Sequence, residues 1–175
     1  MRVIASSVKL GSNVTVGNFV TIGPDVVIKD NCCIGNNVTI HAGTCVGKGV
    51  RIDDNTVIGK LPMRAAISAT SEAGELPPCI IGDGCTLGTA VVIYRGCELG
   101  DNCLVADLAT IRENVSVGTK TIVGRNVAIE NQCQVGSYCK LETNSYITAW
   151  SQLGDNVFVA PGVVTSNDNF AGRGQ

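Results

Sequence analysis

The chain has 175 residues, 45% hydrophobic but only 4% aromatic, so any core must be built from small and branched side chains. Its 13 basic and 15 acidic residues give a formal charge of −2, which excludes the basic footprint of a nucleic-acid or polybasic membrane binder and points to a small-molecule or protein partner. The opening stretch from Met1 to Ser12 lacks an apolar run suited to a signal peptide, and no run of about 18 apolar residues exists to span a membrane, so a cytoplasmic location is expected.

From Ile4 an isoleucine, valine or leucine recurs at every sixth position as far as Ile58, and the series resumes at Ile81 and runs to Val159. A six-residue period fits neither an α-helical face nor simple strand alternation, and predicts a parallel β-helix. Each hexad is a short strand and a tight corner, as in Leu10-Gly-Ser-Asn-Val-Thr15. Glycine follows the aliphatic where neighbouring backbones come close. Asparagine sits two residues later, where left-handed dihedrals are needed, in Asn13, Asn31, Asn37, Asn55, Asn102, Asn114, Asn126, Asn144 and Asn156. Three hexads close one triangular turn, so residues 1–59 form the N-terminal coils and 81–164 the C-terminal ones, about eight coils in all. Short-cornered hexads of this type predict an all-β, left-handed winding, an exception to the usual crossover preference.

The register breaks once, over residues 60–80, where the polar, proline-bounded stretch from Lys60 to Pro78 is expected to leave the stack as a loop. Residues 165–175 carry no hexad and form an irregular tail. A β-helix end is normally covered, so further coils beyond Gln175 are one expectation. Cys32, Cys85, Cys97, Cys103, Cys133 and Cys139 share the slot four residues past an aliphatic and read as small core residues. Their spacing fits no zinc pattern, the chain has one histidine, and no metal is expected. The odd count of nine cysteines fits a reducing compartment.

The repeat resembles the hexapeptide-repeat acyltransferases from Ile4 to Val164. That resemblance implies a homotrimer with acyl-CoA, here acetyl-CoA, as co-substrate and clefts between subunits for donor and acceptor. A narrower likeness lies in Cys139-Lys-Leu-Glu-Thr-Asn-Ser-Tyr-Ile147 and Val157-Phe-Val-Ala-Pro-Gly-Val-Val-Thr-Ser-Asn-Asp168. These segments are similar to the nucleotide-sugar N-acetyltransferases, whose Lys-Ile-Gln-Asn-Asn-Val and Thr-Asn-Asp motifs they follow, with Glu142, Thr143 and Ser166 departing from the pattern. The resemblance implies acetyl transfer to the amine of a nucleotide-linked amino sugar, with Asn144 orienting the amine and Asn167 and Asp168 contacting the acceptor.

Other residues compete for these roles. His41 is the rival for catalysis, since an imidazole is the usual base near neutrality. Counting 18 residues per coil puts His41 and Asn144 about five coils, or about 24 Å, apart, so they cannot serve one centre. Asp107, Arg112 and Glu113 break the corner pattern, and Tyr94 and Arg95 lie one coil earlier. Stacking sets Tyr94 beside Arg112 and Arg95 beside Glu113. The arginines are candidate diphosphate contacts, with Glu113 beside them, or all three form a surface ion-pair array. Two other uses of this fold are weighed against. A γ-type carbonic anhydrase needs three histidine ligands, and an ice-binding surface needs a threonine ladder that Thr15, Thr21, Thr39, Thr86 and Thr110 do not supply. A catalytically degenerate trimeric scaffold or assembly module stays open as the alternative function.

Overall fold

The computed structural model describes residues 1–63 and 75–167, and within them the chain is a parallel β-helix with no α-helix. Three eight-stranded parallel sheets form its sides. Sheet A consists of Val3–Ile4, Thr21–Ile22, Thr39–Ile40, Val57–Lys60, Val92–Tyr94, Thr110–Ile111, Ala128–Ile129 and Tyr146–Ile147. Sheet B runs from Lys9–Leu10 to Gln152–Leu153 and sheet C from Thr15–Val16 to Phe158–Val159, with the chain passing A to B to C in every turn.

The six-residue period and the strands correspond one to one. All 24 predicted aliphatics lie in strands, and their side chains point inward, stacked one coil upon the next. Ile58, Ile93, Ile111, Ile129 and Ile147 are each completely buried in one such column of sheet A. The first coil is the open end of the stack, with Ile4 40% and Leu10 45% exposed. Truncating a mid-column residue, such as Ile111→Ala, is expected to cost about 3–4 kcal/mol, because rungs fixed by backbone ladders cannot collapse into the void.

The corners follow the predicted turn chemistry. All nine corner asparagines have positive φ, between 55° and 62°. Corner carboxylates add a device the hexad pattern does not announce. Asp30, Asp54, Asp83, Asp101, Asp107 and Asp155 each accept, through Oδ1, an amide N–H of the coil below at 2.6–2.8 Å. Asp107 is therefore one member of a capping series. The core cysteines do more than fill space. Cys32, Cys85, Cys97, Cys103, Cys133 and Cys139 each donate the thiol to a corner carbonyl of the coil above at 2.8–3.2 Å. Thr56 and Thr121 do the same with hydroxyls at 2.7 and 2.8 Å.

The threonines form no regular ladder, as expected. Thr21, Thr39 and Thr110 do share one outward column of sheet A, but Val57 and Val92 interrupt it and Ala128 and Tyr146 follow, so no regular ladder results.

The insertion leaves the stack at the corner between sheets A and B. Val57–Lys60 pairs with Val92–Tyr94, with Val57 and Val92 35 residues apart where the other pairs of sheet A have 18, and a bulge lies between Ile58 and Lys60. The returning strand begins at Ile80, and residues 64–74 lie outside the described set. The loop's place on one particular edge fixes where the candidate site is.

Candidate functional site

The three edges of the prism differ in the residue that follows the inner aliphatic. At edge BC it is glycine in every coil but that of Lys29. At edge AB, where the insertion departs, the same slot holds His41, Gly59, Tyr94, Arg112, Glu130 and Thr148 in successive coils. One edge has exchanged its tight corners for a column of polar and charged side chains.

Lys60 and Tyr94 occupy the middle of this column. Lys60 Nζ lies 4.7 Å from the centre of the Tyr94 ring and donates to its Oη at 3.0 Å. The Arg112 guanidinium lies 5.1 Å from the centre of the same ring. Two cations therefore share one aromatic ring, which their attraction to its π electrons permits. Arg112 then spends its nitrogens on carboxylates, Nε and NH2 on the two oxygens of Glu113 at 2.8 and 3.0 Å and NH1 on Glu130 at 3.3 Å. The bidentate bond to Glu113 raises the Arg112 pKa further, and Glu113 itself is buried. Beside them Tyr146 has its phenol pushed up by burial and then by the Glu130 charge.

Arg95 does not meet Glu113, although the two are neighbours in register. Its side chain reaches down the edge, Nε donating to Leu76 O and NH1 to Ala42 O, each at 2.8 Å. Those bonds bring it to the corner that carries His41. The imidazole there is half-buried. Burial first, then the charges of Arg95 and Lys60, lower its pKa below 6.5, so at neutral pH it is uncharged and able to accept a proton.

Edge AB thus gathers His41, Arg95, Arg112 and Glu113, and Asn167 stands at its upper end, donating from Nδ2 to Ala149 O at 2.7 Å. Asp168 lies outside the described residues. Asn144 is elsewhere, at edge CA, five rungs above His41, in a corner with φ 62°. Its Oδ1 accepts from Asn126 Nδ2 at 2.9 Å. Sequence reasoning passed over Lys60, Glu130, Tyr146 and Thr148. A comparison of corner slots every 18 residues, edge by edge, would have found Glu130 and Thr148, which replace glycine in the same column as Arg112. Lys60 is hidden by the register break.

Fold and corner pattern together define a hexapeptide-repeat β-helix protein. The bacterial transferase hexapeptide family (six repeats) matches residues 3–42 and 78–113, and the hexapeptide repeat of succinyl-transferase matches residues 25–60. The chain belongs to this hexapeptide-repeat family. No curated protein matches at a significant level. Among solved structures, the UDP-N-acetylglucosamine acyltransferase of Francisella novicida is 24% identical, with a TM-score of 0.87 over 95% of this chain and 62% of that one. The Campylobacter jejuni UDP-N-acetylglucosamine acyltransferase is 20% identical with a TM-score of 0.61, over 96% of this chain and 70% of that one. An Arabidopsis enzyme of the same description is 17% identical with a TM-score of 0.54, over 95% and 66%. These likenesses are of fold, and the chain spans about 62% of the length of the Francisella protein.

Proposed function

We propose that the chain is an acyltransferase that moves an acyl group, acetyl being the first candidate, from CoA to the amine of a nucleotide-linked amino sugar at edge AB. The observation that carries this reading is the half-buried His41 imidazole, set near Arg95 and Lys60 on the edge that has given up most of its corner glycines, where burial and those charges lower its pKa. Attack on a thioester carbonyl needs a neutral amine, and the tetrahedral intermediate must shed a proton as the thiol leaves. An imidazole kept neutral can take that proton, a contribution of about 10²–10⁴ in rate. Lys60 spends one ammonium hydrogen on Tyr94 and supplies positive charge for an anionic substrate group, such as a diphosphate. Arg112 is held by Glu113 and Glu130, which favours a supporting role for it.

His41 is preferred to Asn144 as the catalytic group. The Asn144 amide is engaged in a corner pair, and its φ matches that of eight other corner asparagines that carry no proposed chemistry. Asn167, with Asp168 next in sequence, remains the proposed acceptor contact at the upper end of the edge. The acyltransferase descriptions of the Francisella and Campylobacter structures support the reaction class and a nucleotide-sugar acceptor. A homotrimer is part of the proposal. The outward face of sheet A beside the site, through Thr39, Val57, Val92, Thr110 and Ala128, bears no charge, which suits contact with another subunit in closed symmetry. The nine free cysteines suit a reducing, cytoplasmic setting.

The test mixes purified protein with acetyl-CoA or longer acyl-CoAs and a panel of UDP- and dTDP-linked amino sugars, and follows thiol release. Acceptor-dependent release, lost in His41→Ala, is the expected result. No release across the panel, together with no CoA binding by calorimetry, would replace this reading with that of a non-catalytic trimeric scaffold.

A further inference from the structure

An insertion in a β-helix removes more than a strand, because most corner carbonyls accept an amide of the coil above. Along edge AB, Pro24 O accepts from Gly43 N at 2.9 Å, Glu113 O from Gln132 N at 3.1 Å and Asn131 O from Trp150 N at 3.1 Å. Ala42 O holds the equivalent place in the His41 corner. The coil above it departs at Lys60, and the donor that reaches Ala42 O is the Arg95 guanidinium, from two rungs up. The same side chain binds Leu76 O on the returning limb, and the Arg95 amide binds Lys60 O on the departing limb at 2.9 Å. A single residue therefore joins both limbs of the insertion to the corner that displays His41.

From this geometry we infer that Arg95 is a positioning residue, a clasp that fixes the His41 corner against the roots of the insertion. The inference rests on the reading of His41 as the proton acceptor. The planar guanidinium meets the two carbonyls with two separate nitrogens, Nε and NH1, held in a fixed fork, a geometry that the single nitrogen of an ammonium does not reproduce. Without the clasp, Ala42 O and Leu76 O lose these donors, and the corner keeps the His41 amide bond to Ile58 O at 2.8 Å while its Ala42 side has no amide of the coil above to replace the guanidinium. The clasp also places a fixed positive charge near the imidazole. The other charged and titratable groups around it are Lys60 on the rung above, Tyr94 beyond Lys60 and the exposed Asp25 on the corner beneath.

His41 is the only histidine, so a histidine-labelled sample gives one imidazole signal whose titration can be followed by NMR whether or not turnover is seen. In the natural chain the midpoint is expected below 6.5. Arg95→Met is expected to raise it, to broaden the imidazole signal as the corner loses its anchor, and to lower kcat far more than it changes KM for the acceptor. Arg95→Lys keeps the charge and removes the fork, so its midpoint should stay near that of the natural chain while kcat falls by about tenfold or more. The inference is overturned if Arg95→Met leaves the His41 signal and midpoint unchanged, or if Arg95→Lys keeps full kcat. A rise in KM alone would also overturn it and make Arg95 a substrate contact. If Arg95→Met does not fold, the Arg95→Lys pair of readouts decides. Should the natural chain show no turnover, the catalytic reading of His41 fails, whereas the imidazole signal still reports whether Arg95 holds the corner.

Discussion

Asn126 and Asn144 stand one above the other at edge CA, the Nδ2 of the first donating to the Oδ1 of the second at 2.9 Å, each with a left-handed backbone. Such a pair is what a corner needs, since asparagine tolerates positive φ better than other residues with side chains. Asn144→Gly should leave kcat close to that of the natural chain, and Asn144→Ala should cost about 1 kcal/mol of stability, read by urea unfolding. A large fall in kcat for a well-folded Asn144→Gly would return the catalytic role to Asn144.

At edge AB the supporting carboxylate is the test case. Glu113 is buried and gives both oxygens to Arg112, whose guanidinium is partly open to solvent. Glu113→Gln leaves that guanidinium without its main counter-charge, and a loss on the order of 2 kcal/mol is expected, less than for a fully buried pair. Thermal unfolding with and without high salt measures it, and the salt dependence should be small because the pair is shielded.

The cysteines divide cleanly by reactivity. Cys33 and Cys45 are exposed and the other seven are buried. A thiol reagent should label those two in the native protein and the rest only on unfolding. Burial pushes the Cys97 thiol up to about 12, so the thiolate that reacts is scarce there.

Substitution in that slot separates packing from hydrogen bonding. Cys139 donates to Gly154 O at 3.1 Å, as Thr121 does to Gly136 O at 2.8 Å one coil below. Cys139→Thr keeps a donor, whereas Cys139→Val fills similar space without one and should cost about 1 kcal/mol by comparison. Equal stability for the two variants would show that the thiol bonds contribute nothing.

Protonation of His41 sets the pH dependence. Its folded pKa lies below the unfolded value of 6.5, so the unfolded chain takes up the proton first as pH falls. The contribution of His41 to stability is complete above 6.5 and is lost as pH drops from there through the folded value. His41→Gln should flatten that part of the stability curve. In the enzyme assay kcat/KM should fall over the acid side of the same range, as the base becomes charged.

The fold was legible because one repeated position corresponds to one inward column, and a register of six carries through every coil except the insertion. Much of the candidate site was not legible, for reasons that lie in the corners. Hexad spacing treats all corners alike, but chemistry differs by edge, and edges recur every 18 residues. Arg112 stood out as a charge in place of glycine, with Glu113 next to it, while Glu130 fell among unremarked corner residues. Register placed Arg95 next to Glu113. It could not show that the gap left by the insertion would draw the guanidinium the other way, toward Ala42 and Leu76. Lys60 was read as the first residue of a loop, and only the bulge after Ile58 returns it to the stack beside Tyr94.

The glycines of edge BC bear on how such a molecule can diversify. A Cβ at Gly118 or Gly136 would lie 2.5 Å from backbone atoms of the next coil. A single mutation there must push neighbouring coils apart before any new group can be presented. Edge AB already accommodates side chains in that slot at His41, Tyr94, Arg112, Glu130 and Thr148, so these residues can be exchanged one at a time. Variation among descendants of this chain should therefore collect along one line of the prism while the opposite edge stays silent, and a change of substrate would be written there before anywhere else.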